Sequence, residues 1–354
     1  MVMRSYTPAE AAEPLGFDEE DVVVLLKRGL FRGSCTDGSW RVTEEEIERI
    51  RALQKRGVSF PTRKNALDFT VIRQALGEAI HSLPNLLERD RANRKLAANR
   101  ELRAILTIQV RVVEQTSVLL LRLLDEKEST SREESFVALS PLVRTLLESV
   151  FTFGFLLEDP GPRVAFFLKG GWWNARREYE RYRDEFGSSA SAGPFLKMLS
   201  SSLEILEDQV RPSAEDRARK PQRGDYWPNP GTLKRDVQDT NLRTFMEYLD
   251  AWMYGDLSSA SHLSLIGVRN AGAYLRSLDD AEVRDLVILK TRSEIAFRVI
   301  GLTLAAYSEI EVGLGGLDSL LRRKLLEVWQ QVVPYQKEIR DLFELRYQAA
   351  LSKA

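Results

Sequence analysis

The chain has 354 residues, room for two or three domains of ordinary size, and its balance of 44% hydrophobic and 29% charged residues excludes a disordered or collagen-like polymer. Its 51 Lys+Arg against 52 Asp+Glu leave a formal net charge of −1, so attraction to nucleic acid or anionic lipid must come from a local patch. One cysteine, Cys35, excludes a disulfide framework and a Cys-rich zinc site, and two histidines, His81 and His262, speak against a His-built metal centre. No metal and no cofactor are therefore expected.

Residues 1–7 run into Pro8 without an apolar targeting segment. The longest apolar stretches, Ser117–Leu124 and Ser149–Leu157, are shorter than a bilayer span. The expectation is a cytoplasmic protein with no membrane partner.

Three units are expected: residues 1–60, a connecting helix or linker over 61–90, and a helical domain over 91–354. In the first, Thr7 caps a short helix with Pro8 at its first position and Glu10 closing a capping box, and Gly16 stops it. A second helix begins at Asp18 with Asp18, Glu19, Glu20 and Asp21 in its first turn, buries Val22, Leu25 and Leu26, and ends at Gly29. Two strands, Leu30–Ser34 and Trp40–Val42, flank Asp37-Gly38, a strong hairpin signal. Thr43 with Glu46 is read as a capping box opening a third helix over 44–56.

From Arg63 onward apolar residues recur at three- and four-residue spacing. Helices are expected over 93–126, over 132–157 with a bend at Pro141, and over 163–186, 195–210, 240–254, 281–309, 317–333 and 334–351. The one long loop, 211–232, contains Pro212, Pro221, Pro228 and Pro230. The fold class is mainly α: a small winged helix-turn-helix domain followed by a larger all-α helical bundle.

The first unit resembles the excisionase and MerR-like DNA-binding modules of bacteria and phage. The resemblance lies in Thr7-Pro8, Glu10-Ala11-Ala12, Leu15-Gly16, Val22, Gly29-Leu30 and Gly38-x-Trp40-Arg41-Val42. It implies a second helix that reads DNA and a wing that touches phosphate. Lys27, Arg28, Arg32 and Arg41 are the candidate phosphate contacts. Against this, the second helix opens acidic, and residues 1–60 hold nine basic and eleven acidic side chains. A protein partner docking on Val23, Val24 and the acidic helix is the alternative. It would make the chain an interaction component of a phage-defence or mobile-element system.

In the helical part, Arg144 and Glu148 stand four residues apart on an apolar stretch, so they are expected to be buried or to line a cleft. A hydroxyl- and ring-rich segment follows much later, containing Tyr254 and Ser258 and closed by His262. Arg-x-x-x-Glu, the Asp159-Pro160 bend and Ser-x-x-x-His together resemble an uncharacterised family of bacterial helical domains, often found near mobile-element and defence genes. The resemblance implies a polar site where Arg144, Glu148, Tyr254, Ser258 and His262 converge, and no reaction. His262 is read as tying helices together through a hydrogen bond to Arg144 or Glu148. A HEPN-type RNase is a third reading, disfavoured because no Arg stands five to seven positions before either histidine. No catalytic residue is assigned.

Other features carry structural readings. The glycines at 313, 315 and 316 mark a helix end, and Cys35 is taken as a packing residue. Charges on the helix after Trp172-Trp173 interleave as solvent-facing ion pairs. Arg211, Arg217, Arg219, Lys220 and Arg223, with Tyr226 and Trp227 beside them, are the best local patch for nucleic acid outside the first unit, and a flexible, solvated loop explains them equally well. The apolar helices 281–309 and 317–351 offer a homodimer surface. The leading reading is a bacterial DNA-associated regulator whose helical domain senses or assembles.

Overall fold

The computed structural model describes residues 4–27, 29–56, 58, 60, 76–77, 83–87, 93–124, 133–261 and 264–352. It is mainly α, with a small N-terminal α/β region and a large helical part. Arg28, His81, His262 and most of the expected connector over 61–90 lie outside the described residues.

The N-terminal region runs β1 (Ser5–Tyr6), α1 (Pro8–Leu15), α2 (Glu19–Lys27), β2 (Gly33–Thr36), β3 (Ser39–Thr43) and α3 (Glu44–Lys55). Thr7 and Glu10 form the expected capping box, and Gly16 ends α1 at φ 71°. Strands β2 and β3 pair antiparallel about Asp37-Gly38, whose φ values of 52° and 78° fit a two-residue hairpin turn. Two-residue β1, not foreseen, completes a three-stranded sheet of order β1-β3-β2. Ala11, Leu15, Val22, Leu25, Phe31, Ile47 and Ile50 form the core.

The helical body follows as α4 (Arg94–Ala98), α5 (Arg100–Leu124), α6 (Ser140–Glu158), α7 (Pro160–Phe186), α8 (Gly193–Val210), α9 (Ala214–Ala218), α10 (Pro230–Asp236), α11 (Thr240–Leu249), α12 (Gly255–Ser261), α13 (Leu265–Leu278), α14 (Arg284–Gly313), α15 (Ser319–Val332), α16 (Lys337–Leu342) and α17 (Gln348–Leu351). The expected helix over 93–126 is broken at Asn99, which is extended and caps α5 by accepting from the Leu102 N–H at 2.8 Å. Pro141 does not bend a helix: it lies in the first turn of α6, where its missing N–H has no partner to lose. Two π turns, Asp250–Tyr254 and Phe343–Tyr347, interrupt segments expected to be continuous.

Helix α14 is the axis of the body. It packs against α5 and α6, and from Val299 to Glu311 every residue is buried. Its C-terminal carbonyls meet cationic and amide donors from α4 and its cap: Lys95 Nζ donates to Gly313 O at 2.6 Å and Asn93 Nδ2 to Leu314 O at 3.0 Å. Gly315 and Gly316 then turn the chain at φ 77° and 98°, the helix end expected for this glycine cluster.

Arg100–Leu124 and the run Phe136–Glu158 are long and apolar enough to cross a bilayer by length and composition, which a search for uninterrupted apolar runs passes over. Here they pack on α14 as core helices. The apolar residues of α14 and α15 are largely buried inside the chain, with Leu320 46% exposed on α15.

The N-terminal core extends onto the body. Val283 and Leu286, at the head of α14, are buried with Phe31 and Phe60, and Arg56 pairs with Asp280 at 2.9 Å and Glu282 at 3.2 Å.

Candidate nucleic-acid interface and polar cluster

The wing is positioned by one buried carboxylate. Thr43 caps α3 by accepting from the Glu46 N–H, but no return bond from Glu46 to the cap closes the expected box. Instead Glu46, 3% exposed, accepts the Arg32 N–H at 2.9 Å and two bonds from Arg49, at 2.7 and 2.6 Å. Arg49 also reaches the Leu30 carbonyl at 3.3 Å, and its charged form is favoured chiefly by the Glu46 bond. Glu46 is thus used to tether the entry of β2 to α3. Close contact on the other side comes from Gly33, where an added Cβ would lie 2.5 Å from Leu26 Cδ2 and 2.7 Å from Arg41 O. A side chain there would push the wing off α2.

On this frame Lys27, Arg32 and Arg41 are all exposed, at the end of α2 and on the wing. Arg41 acts on Glu10, whose carboxyl is held below the ordinary value mainly by its bonds to Thr7. Glu19 and Glu20 are exposed on α2, whereas Asp21 is buried and Val23 and Val24 are half-buried. Cys35 is exposed on β2, which corrects its reading as a packing residue: β2 is an edge strand exposed on both faces along its length.

Arg144, Glu148 and Tyr254 do come together. Arg144 Nε donates to Glu148 Oε1 at 2.8 Å, and its guanidinium lies 5.4 Å from the centre of the Tyr254 ring, with Nη2 3.5 Å from the hydroxyl. The π turn over Asp250–Tyr254 presents the ring. Ser258 is half-buried one turn further on, in α12. Because His262 lies outside the described residues, its expected bond has no geometry here. The pair is half-buried: Glu148 keeps 43% of its side-chain surface and Arg144 17%.

The more deeply buried ion pairs were missed. Glu309, 1% exposed, accepts from Arg346 at 2.9 and 3.2 Å and from the Tyr347 hydroxyl at 2.9 Å. Burial pulls the Arg346 guanidinium down, but the Glu309 carboxylate outweighs it and the net shift is upward. Glu311, fully buried, holds Arg322 at 3.1 Å and the Leu317 N–H at 2.9 Å, fastening the glycine turn. Glu309 and Glu311, two positions apart at the end of an apolar run, were the available signal, and the expected helix end at 309 left them unread.

The basic loop is also corrected. Arg219 forms a bidentate pair with Asp225, at 2.6 and 2.7 Å, and stacks 4.8 Å from the ring centre of buried Trp173. Lys169 pairs with Asp216 at 2.9 Å, and Arg217 lies 3.9 Å from Glu207. Trp227 packs on Phe155, Phe166 and Phe167. The segment 211–232 is therefore pinned to α7, with Arg219 neutralised by Asp225 and Asp216 held by Lys169. Comparison of the chain with protein-family models, curated proteins and solved structures returned no match.

Proposed function

We propose that this chain is a bacterial DNA-associated regulatory protein that meets the duplex through its wing, with the helical body in a sensing or assembly role. The observation that carries this reading is the tethered β2–β3 hairpin with Arg32 and Arg41 exposed. Its likeness in sequence to excisionase and MerR-like modules supports the same reading. The exposed Glu19 and Glu20 argue that α2 does not lie along phosphate with its opening turn, since two carboxylates would be repelled there. Phosphate contact then falls to Lys27, Arg32 and Arg41.

The test is duplex binding by the full chain across a salt series. Arg32→Glu with Arg41→Glu should weaken binding to all sequences alike and lower the salt slope by about two, one for each lost phosphate contact. An unchanged slope would overturn the wing as the contact. One observation favours a second reading: half-buried Val23 and Val24 lie on the same helix as exposed Glu19 and Glu20, a face suited to a basic protein partner. Pull-down with and without nuclease separates the two, because a partner held by α2 survives nuclease and is lost in Glu19→Lys with Glu20→Lys.

A further inference from the structure

Helices α7 and α8 form an antiparallel hairpin: Tyr182 meets Phe195 at 4.9 Å near its tip, and Trp172 Nε1 donates to Glu207 at 3.3 Å near its base. The hairpin's second helix has no buried residue over its 18 residues. Two apolar stripes run along it. Leu196, Leu199, Leu203, Leu206 and Val210 are half-buried on the side packed against α7. Phe195, Met198 and Ile205 are 39%, 53% and 60% exposed and, with exposed Ser202 between them, recur at three- and four-residue spacing. That spacing is the seam of a coiled coil, and among the described residues Met198 and Ile205 stay exposed along it.

We propose that this seam pairs antiparallel with the same seam of a second copy, making the hairpin a dimerisation arm. About Ser202 the seam is complementary over its middle, and Phe195 of each copy meets Gln209 of the other. A two-fold axis there sets Met198 against the partner's Ile205 and places small Ser202 at the crossing, where helices approach closest. Charge agrees. At 100° per residue, exposed Lys197, Glu204 and Asp208 share one flank of the seam, and like flanks meet in an antiparallel pair. Lys197 of each copy then faces Glu204 and Asp208 of the other, whereas parallel pairing would set this charged flank against the flank that carries α7. The α7 helices occupy the opposite flank, so the two hairpins close as four helices. The pairing strip, about 27 Å long and about 20 Å wide, covers about 540 Å² per partner, below the ~800 Å² of a standard stable interface. The exposed apolar residues of α5 (Ile108, Val112, Leu119) and of α13 (Leu265, Val268, Leu275) form further stripes of similar spacing, which the substitutions below leave intact.

The test is sedimentation equilibrium of the nuclease-treated full chain. Wild type should dimerise, and Met198→Glu with Ile205→Glu should raise the dissociation constant at least about 100-fold while circular dichroism is unchanged, as expected at exposed positions. A disulfide trap supplies a second readout: in Cys35→Ser, Ser202→Cys becomes the one cysteine, close enough to its own copy to cross-link under mild oxidation. A monomeric wild type, a dimer indifferent to the double substitution, or no cross-link at 202 would each overturn the arm. A dimer that survives the substitution would direct attention to α5 or α13.

Discussion

Glu148 and Glu309 are both carboxylates paired with an arginine on an apolar helix, yet their surroundings give them different weights. Glu309 is sealed from water, so removing its partner leaves a bare buried charge. Arg346→Ala is expected to cost about 3–5 kcal/mol in denaturant unfolding, and Arg346→Met joined with Glu309→Leu to recover most of it. If the double variant is no better than the single one, the pair is not the source of the loss. Glu148 stays near solvent. Arg144→Ala should therefore cost only about 1 kcal/mol, from a partly screened ion pair and lost stem packing, well below the figure for a sealed pair. Sequence showed that Arg144 and Glu148 face the same way and that Tyr254 belongs with them. It could not rank their burial, because that depends on which helices cover α6. Glu309 illustrates the converse: the expected helix end at 309 hides its place on the buried axis until α14 is seen to continue to Gly313.

At the scale of the element, local signals were legible and tertiary ones were not. Thr7, Pro8 and Glu10 define α1 within one turn of chain, and Asp37-Gly38 defines the hairpin, because each acts through bonds to near neighbours. Strand β1 is two residues long and exists only through its pairing with Val42 and Thr43, so no pattern announces it. The segment 211–232 read as a flexible loop from its prolines, but its order comes from distant partners, Trp173 and Lys169 among them. That order should depend on acid. Lys169 and Ser213 hold Asp216 down at about 2 against an ordinary 3.8, and Arg219 holds Asp225 down at about 2. Depressed carboxylates stabilise the fold fully above about 3.8, and that contribution fades as pH falls towards about 2. Trp227 fluorescence should therefore hold steady from neutral pH to about 4 and shift below it. Asp216→Asn with Asp225→Asn should show the shifted signal already at neutral pH; an acid transition identical to wild type would assign it to other groups.

At the scale of the whole molecule, the N-terminal region is not an independent appendage in its packing. Its core is completed by Val283 and Leu286 from the head of α14, and Arg56 bridges to Asp280 and Glu282 beside them. Residues 1–60 alone would leave the face around Phe31 and Phe60 uncovered, which is why the binding tests above use the full chain. The ion pairs are largely exposed and add little, so the apolar contact should dominate the coupling. Leu286→Asp places a charge in that contact and is expected to cost about 3 kcal/mol or more. If the contact couples the two parts, thermal unfolding of the wild type is a single transition, and Leu286→Asp splits it. The N-terminal region then melts first, while the body, whose core lies along the rest of α14, melts close to its former temperature. Arg56→Ala should leave the single transition intact. Two transitions already present in the wild type, or a uniform fall of one transition in Leu286→Asp, would mean that stability is not partitioned along this contact. The same variant bears on function: a wing that needs its seat on α14 to be oriented should lose duplex affinity in Leu286→Asp even where the N-terminal region remains folded.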